Sequence, residues 1–129
     1  MQPVKKLVLC AEPSEDIWLM MQALLLSRGI ETESAATVAE AVGKAGSRDY
    51  CLYVVDDGYT DGTNVELIRR LRSLTPAVPV LVFCTQDFPH SRGEALQAGA
   101  ADYLIKPGDV LGVLSVVEGL CDQAAAAPS

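Results

Sequence analysis

The sequence is poor in the residues that build metal and redox sites. It has one histidine and four cysteines at Cys10, Cys51, Cys84 and Cys121, with no Cys-x-x-Cys pair. That spacing suggests neither a zinc site nor a thioredoxin-like motif, so the cysteines read as small buried hydrophobes. No apolar run approaches the ~20 residues of a membrane-spanning helix. The opening MQPVKKLVLC lacks an h-region of signal-peptide length and a cleavage site, and cytoplasmic residence is the expectation. Basic residues are also few: ten Lys and Arg against seventeen Asp and Glu give a net charge of −7. Such a balance repels phosphate backbones and anionic lipid, so neither nucleic acid nor a membrane is an expected partner. Internal repeats and linkers are absent, and 129 residues suit one core. One domain over residues 1–122 is expected, followed by a flexible tail, QAAAAPS, at 123–129.

What is present is an alternation of apolar runs with helix-period segments, five times over, which predicts an α/β fold with a parallel sheet. KLVLCA (6–11) is the first strand. A helix follows from a Ser14 cap, with Ile17, Met20, Met21, Leu24 and Leu25 at helical spacing and a stop at Gly29. A weak strand at 30–35 precedes a helix opened by the capping box Thr37/Glu40. CLYVVD (51–56) is the third strand, and its helix opens on a second box, Thr63/Glu66. VPVLVFC (78–84) is apolar throughout, as a strand covered on both faces must be. SRGEALQAGA (91–100) reads as a helix closed by Gly99, and ADYLIKP (101–107) as a short strand. The last helix, 108–122, carries Val110, Leu114, Val117 and Leu120 on one side.

In a doubly wound sheet, reactive groups lie beyond the carboxyl ends of the strands, at the topological switch point. Those ends carry Ala11 and Glu12, Asp56 and Asp57, Cys84 and Thr85, and Lys106 with Pro107. Each alone reads as a cap or a surface ion pair. Together they would put several carboxylates and one ammonium in a single crevice, where a cation must offset their repulsion. Mg²⁺ takes one or two carboxylates and keeps several waters. The chemistry that suits such a site is metal-assisted phosphoryl transfer to a carboxylate, with the lysine on the phosphoryl oxygens.

From KKLVLCAEPSED through LYVVDD to AGAADYLIKP, the order of these groups resembles the receiver domain of two-component response regulators. The resemblance implies a flavodoxin-like, five-stranded parallel sheet in order 2-1-3-4-5 with helices on both faces. It implies that Asp56 is the phosphoacceptor, that Lys106 contacts the phosphoryl group, and that Pro107 follows it. It makes Tyr103 the switch aromatic and puts Cys84 where the family has a hydroxyl. Glu12, Asp56 and the Gly58 carbonyl would be the Mg²⁺ ligands. A stand-alone signalling module that is not itself an enzyme follows, with a histidine kinase or histidine phosphotransfer protein upstream and a downstream protein target. A homodimer through the face of helix four, strand five and helix five is also implied.

Three departures set this chain apart from the family it resembles. Ala11 stands where the first of two acids belongs, so Mg²⁺ binding should be weaker. Cys84 offers a thiol, a weak donor, in place of the hydroxyl, and Thr85 cannot stand in because neighbouring strand residues point to opposite faces. The turn after Asp56 is short, reaching Gly62 without the usual proline. A second register would put Cys10 and Ala11 on the acidic positions and leave Glu12 outside, though it places the following helix less well. The alternative function is a pseudo-receiver, an interaction module independent of phosphate. Other readings of the turn fail. A calcium loop begun at Asp57 would need ligands at Tyr59 and Ile68, an aspartyl phosphatase would need an acid at Gly58, and no Ser/Thr/Gly phosphate cradle for flavin follows strand one. Strand alternation is expected to point Asp57 away from Asp56, leaving it to cap the turn or to join the metal.

Overall fold

The chain, described over residues 6–85, 89–106 and 108–126 in a computed structural model, alternates strand and helix throughout. The strands are β1 (Leu7–Ala11), β2 (Glu31–Ala35), β3 (Leu52–Val55), β4 (Val80–Cys84) and β5 (Asp102–Ile105). Between and after them run α1 (Glu15–Leu26), α2 (Val38–Ala45), α3 (Asn64–Leu74), α4 (Pro89–Ala98) and α5 (Val110–Ala126). All pairings are parallel, in the order β2-β1-β3-β4-β5, as the sequence implied.

Strand alternation sorts the apolar residues into two layers. Leu9, Ala11, Tyr53, Val55, Val80, Val82 and Cys84 face α2, α3 and α4, meeting Val38, Ala41, Leu67, Ile68, Leu71 and Ala95. Val8, Cys10, Leu52, Val54, Leu81 and Phe83 face α1 and α5, meeting Met21, Leu25, Val113, Val117 and Cys121. β3 and β4 are therefore apolar at every position, being covered on both sides.

The helix starts carry the predicted caps: Ser14, Thr37 and Thr63 accept from the N–H groups of Ile17, Glu40 and Glu66. Asp61, from the turn after β3, adds a further cap, its two oxygens accepting from Val38 and Ala39 N–H at 2.8 and 2.9 Å. α1 stops at Gly29, whose φ of +72° only glycine adopts freely, and Ile30 N–H returns to Leu25 O.

Three details differ from the sequence reading. Of the apolar set expected for α1, Met21 and Leu25 are buried, whereas Met20 turns outward. The buried stripe of α5 is Val113, Val117 and Cys121, with Leu114 and Leu120 only partly covered and the Val110 side chain outside the described residues. α5 also continues to Ala126, into the stretch expected as tail, because alanine is the strongest helix former.

Candidate functional site

β1 and β3 are neighbours, yet their following helices cover opposite faces, so the chain leaves a crevice beyond their carboxyl ends. Glu12 follows β1, Asp56 follows β3 and Lys106 follows β5, and the three side chains meet there. They are the buried charged residues among those described, at 8%, 8% and 9% exposure. Charges this buried demand partners. Lys106 Nζ donates to Glu12 Oε1 and, at 2.9 Å, to Asp56 Oδ2. Glu12 Oε2 accepts from Ser14 N–H at 3.0 Å, which ties the carboxylate to the start of α1. Lys106 is anchored by its own N–H to Cys84 O at 2.8 Å and lies 5.4 Å from the Phe83 ring centroid. Asp109 braces the turn beyond it, accepting from Ile105 N–H at 2.8 Å and donating its own N–H to Ile105 O. Pro107 lies outside the described residues.

One oxygen is left over. Asp56 Oδ1 is buried and accepts no hydrogen bond among the described residues. Burial, followed by the Glu12 carboxylate, pushes Asp56 above the ordinary carboxyl range, with Lys106 pulling the other way. For Lys106, burial favours the neutral amine, but the bonds to Glu12 and Asp56 outweigh it and hold the ammonium above its usual value.

Asp57 corrects an expectation. β3 ends at Val55, so strand alternation no longer governs residues 56 and 57, and the Asp57 carboxyl adjoins that of Asp56. Burial and the Asp56 carboxylate raise Asp57 to about 6. Asp57 keeps a backbone hydrogen bond within the turn, as one expected role had it, while Asp61 makes the capping contacts that go to α2. Gly58 sits in the left-handed region at φ +76°, which turns the chain back over the site. A cleft of about 650 Å³ opens alongside, reaching Asp57 and walled by Glu66, Arg69 and Glu94.

Tyr59 was not singled out from the sequence. Its hydroxyl accepts from Asp56 N–H at 2.8 Å and donates to Ala11 O at 2.5 Å, so one buried oxygen joins the mouths of β3 and β1. The signal was the aromatic residue three positions after Asp56 in a shortened turn, too close to reach anything but the strand ends. Burial raises the Tyr59 phenol well above its ordinary value; the hydrogen bond with the Asp56 backbone opposes the shift, and the charges of Asp56, Glu12 and Asp57 add to it.

Cys84 and Tyr103 meet on the other side of β4. The fully buried Cys84 thiol donates to Tyr103 Oη at 3.0 Å, and Tyr103, 2% exposed, has the Arg92 guanidinium 5.2 Å from its ring centroid. Thr85 lies just past the strand and is exposed. Among the described residues no group of three or more His, Cys, Asp or Glu side chains is gathered as a metal cage. Two carboxylates with an orphaned oxygen nevertheless fit an Mg²⁺ that keeps most of its water.

The pattern of the response regulator receiver domain matches residues 8–118. The KDP operon transcriptional regulatory protein KdpE of Escherichia coli (strain K12) is 35% identical over 100 residues, 78% of this chain and 44% of KdpE. The chain spans less than half the length of the curated relatives it matches. Among solved structures, chemotaxis protein CheY4 of Vibrio cholerae superposes with a TM-score of 0.79 at 28% identity, over 88% of this chain and 99% of that one. A two-component response regulator from Clostridium difficile gives 0.86 at 25% identity, over 92% and 97%. With the doubly wound sheet and the Glu12, Asp56 and Lys106 crevice, these matches make the chain a member of the response regulator receiver domain family.

Proposed function

We propose that this receiver domain accepts a phosphoryl group on Asp56 Oδ1, from a histidine kinase or a histidine phosphotransfer protein, and signals to a downstream protein in the cytoplasm. The observation that carries this reading is the division of labour at Asp56. Oδ2 is held by Lys106 while Oδ1 is buried and without a partner among the described residues, so one lone pair is oriented and available. In-line attack by Oδ1 forms a P–O bond as the donor's P–N bond breaks, and the Lys106 ammonium lies where negative charge gathers on the phosphoryl oxygens. Glu12, Asp56 and the Gly58 carbonyl would hold Mg²⁺, which when bound supplies charge neutralisation for that transfer. With Ala11 in place of an acid, the cation has one charged ligand fewer and binds more weakly than in receivers that have both. Output runs through Tyr103 and the α4, β5 and α5 face, which is also the proposed self-association surface.

A second reading, the phosphate-independent interaction module, draws on two observations. The Tyr59 hydroxyl ties off the strand mouths where Ala11 replaces the acid, and the Cys84 thiol is already committed to Tyr103. Amide NMR spectra with Mg²⁺ and beryllofluoride, a phosphoryl analogue, separate the two. Phosphoacceptance predicts saturable shifts at Asp56, Lys106 and Tyr103 that vanish in Asp56→Asn; spectra unchanged by both reagents would leave only the interaction module.

A further inference from the structure

Away from the acidic crevice, two nucleophilic side chains are held in direct contact. Cys51 immediately precedes β3 and donates its N–H to Leu7 O at 2.9 Å, while Cys121 ends the buried stripe of α5. Their Sγ atoms lie 2.6 Å apart although 70 positions separate them in the chain. Both are free thiols. Cys51 is partly exposed and Cys121 is fully buried, so a small reagent meets Cys51 first and finds Cys121 behind it. Lys6, paired with Asp122 at 2.6 Å, brings an ammonium beside the pair. The other two cysteines are differently placed. Cys84 donates to Tyr103, and Cys10 is buried, which pushes its thiol up to about 12. Contact with Cys121, with Lys6 nearby, instead lowers the Cys51 thiol, while contact with Cys51 and burial raise that of Cys121. The partly exposed Cys51 and the buried Cys121 behind it are thus placed as an attacking and a resolving thiol.

We propose that Cys51 and Cys121 form a reversible thiol–disulfide site, oxidised by a hydroperoxide, that fastens the start of β3 to the late turns of α5. In the first step the Cys51 thiolate attacks the terminal peroxide oxygen. The S–O bond forms, the O–O bond breaks, and the departing alkoxide or hydroxide takes a proton to leave as alcohol or water. Cys121 then attacks the Cys51 sulfenic sulfur; the S–S bond forms, the S–O bond breaks, and hydroxide leaves as water with the Cys121 proton. Two thiols lose two electrons and one hydroperoxide gains them. A dithiol reductant reverses the outcome. The site is independent of the phosphoryl chemistry and needs no residue of the acidic crevice.

The test exposes the folded full chain to hydrogen peroxide, then denatures, alkylates and weighs it. Half of the four thiols should be protected, so the protein should gain two alkyl groups instead of four and be lighter by two hydrogens besides, and peptide mapping should find one cross-link, Cys51 to Cys121, erased by reductant. Cys51→Ala should abolish the cross-link, and Cys121→Ala should leave a Cys51 sulfenic acid that a 1,3-dione traps. Four alkylatable thiols after peroxide, cross-links shared with Cys10 or Cys84, or a cross-link appearing only in denaturant would each overturn the proposal.

Discussion

Replacing Tyr59 with phenylalanine deletes one oxygen and strands two backbone groups, the Asp56 N–H and the Ala11 carbonyl. A buried donor or acceptor left without a partner costs about 1–3 kcal/mol. The strand mouth is close to solvent, Asp56 being 8% exposed, so a water can partly replace the phenol and the lower part of that range applies to each group. The expected loss is therefore about 2–3 kcal/mol, a fall in Tm on the order of 10 °C for a domain of this size. Tyr50→Phe is the internal control. Its hydroxyl donates to Glu33 at 2.6 Å, but that carboxylate also pairs with Arg48, so less than about 1 kcal/mol should be lost. Urea unfolding of wild type and both variants measures the differences at unchanged m-value. If Tyr59→Phe came within about 0.5 kcal/mol of wild type, the phenol would not be what joins β1 to β3, and its place in the site would have to be withdrawn.

Lys106→Met removes the ammonium between Glu12 and Asp56 and should cost about 3–5 kcal/mol at neutral pH. Without it the Asp56 carboxyl rises further in the folded protein, so the deficit should shrink as acid protonates it; urea titrations across pH that gave a constant deficit would contradict this. Asp57, raised from 3.8 to about 6, opposes folding when ionised. An acid raised in the folded state gives stability below its unfolded value that is lost as pH rises through the folded one. In chelator-treated protein, Asp57→Asn should match wild type below pH 3.8 and be the more stable above about 6, a gap visible in Tm against pH. Cys84→Thr supplies a stronger donor than the thiol, worth about 1.5–3 kcal/mol toward a charged phosphoryl oxygen. It should enlarge the beryllofluoride-induced NMR change at Tyr103, whereas equal responses from both proteins would route the coupling elsewhere.

How much of this was legible depended on how local the cause was. The apolar runs of β3 and β4, the Ser14, Thr37 and Thr63 caps and the Gly29 and Gly99 stops are written in adjacent residues, and the fold follows from their order. The convergence of Glu12, Asp56 and Lys106 was anticipated because strand ends of a doubly wound sheet share one crevice. What escaped depends on where a turn goes once its strand has ended. Asp57 was assigned by alternation, which fails one residue past β3, and Tyr59 gave no periodic signal because its partners are backbone atoms at the mouths of β3 and β1. Asp61 was lost for the same reason, capping a helix 22 and 23 positions earlier. The Cys51 and Cys121 contact joins residues 70 positions apart that no spacing rule relates.

Whether Asp56 is the nucleophile is decided by the chemical identity of the modified residue. The protein is incubated with Mg²⁺ and a small acyl-phosphate donor, reduced with borohydride and mapped by mass spectrometry. Borohydride converts an aspartyl phosphate to homoserine, so homoserine is expected at position 56, dependent on Mg²⁺ and absent from Asp56→Asn. Homoserine at position 57, an adduct that survives Asp56→Asn, or no adduct at any donor concentration would contradict it.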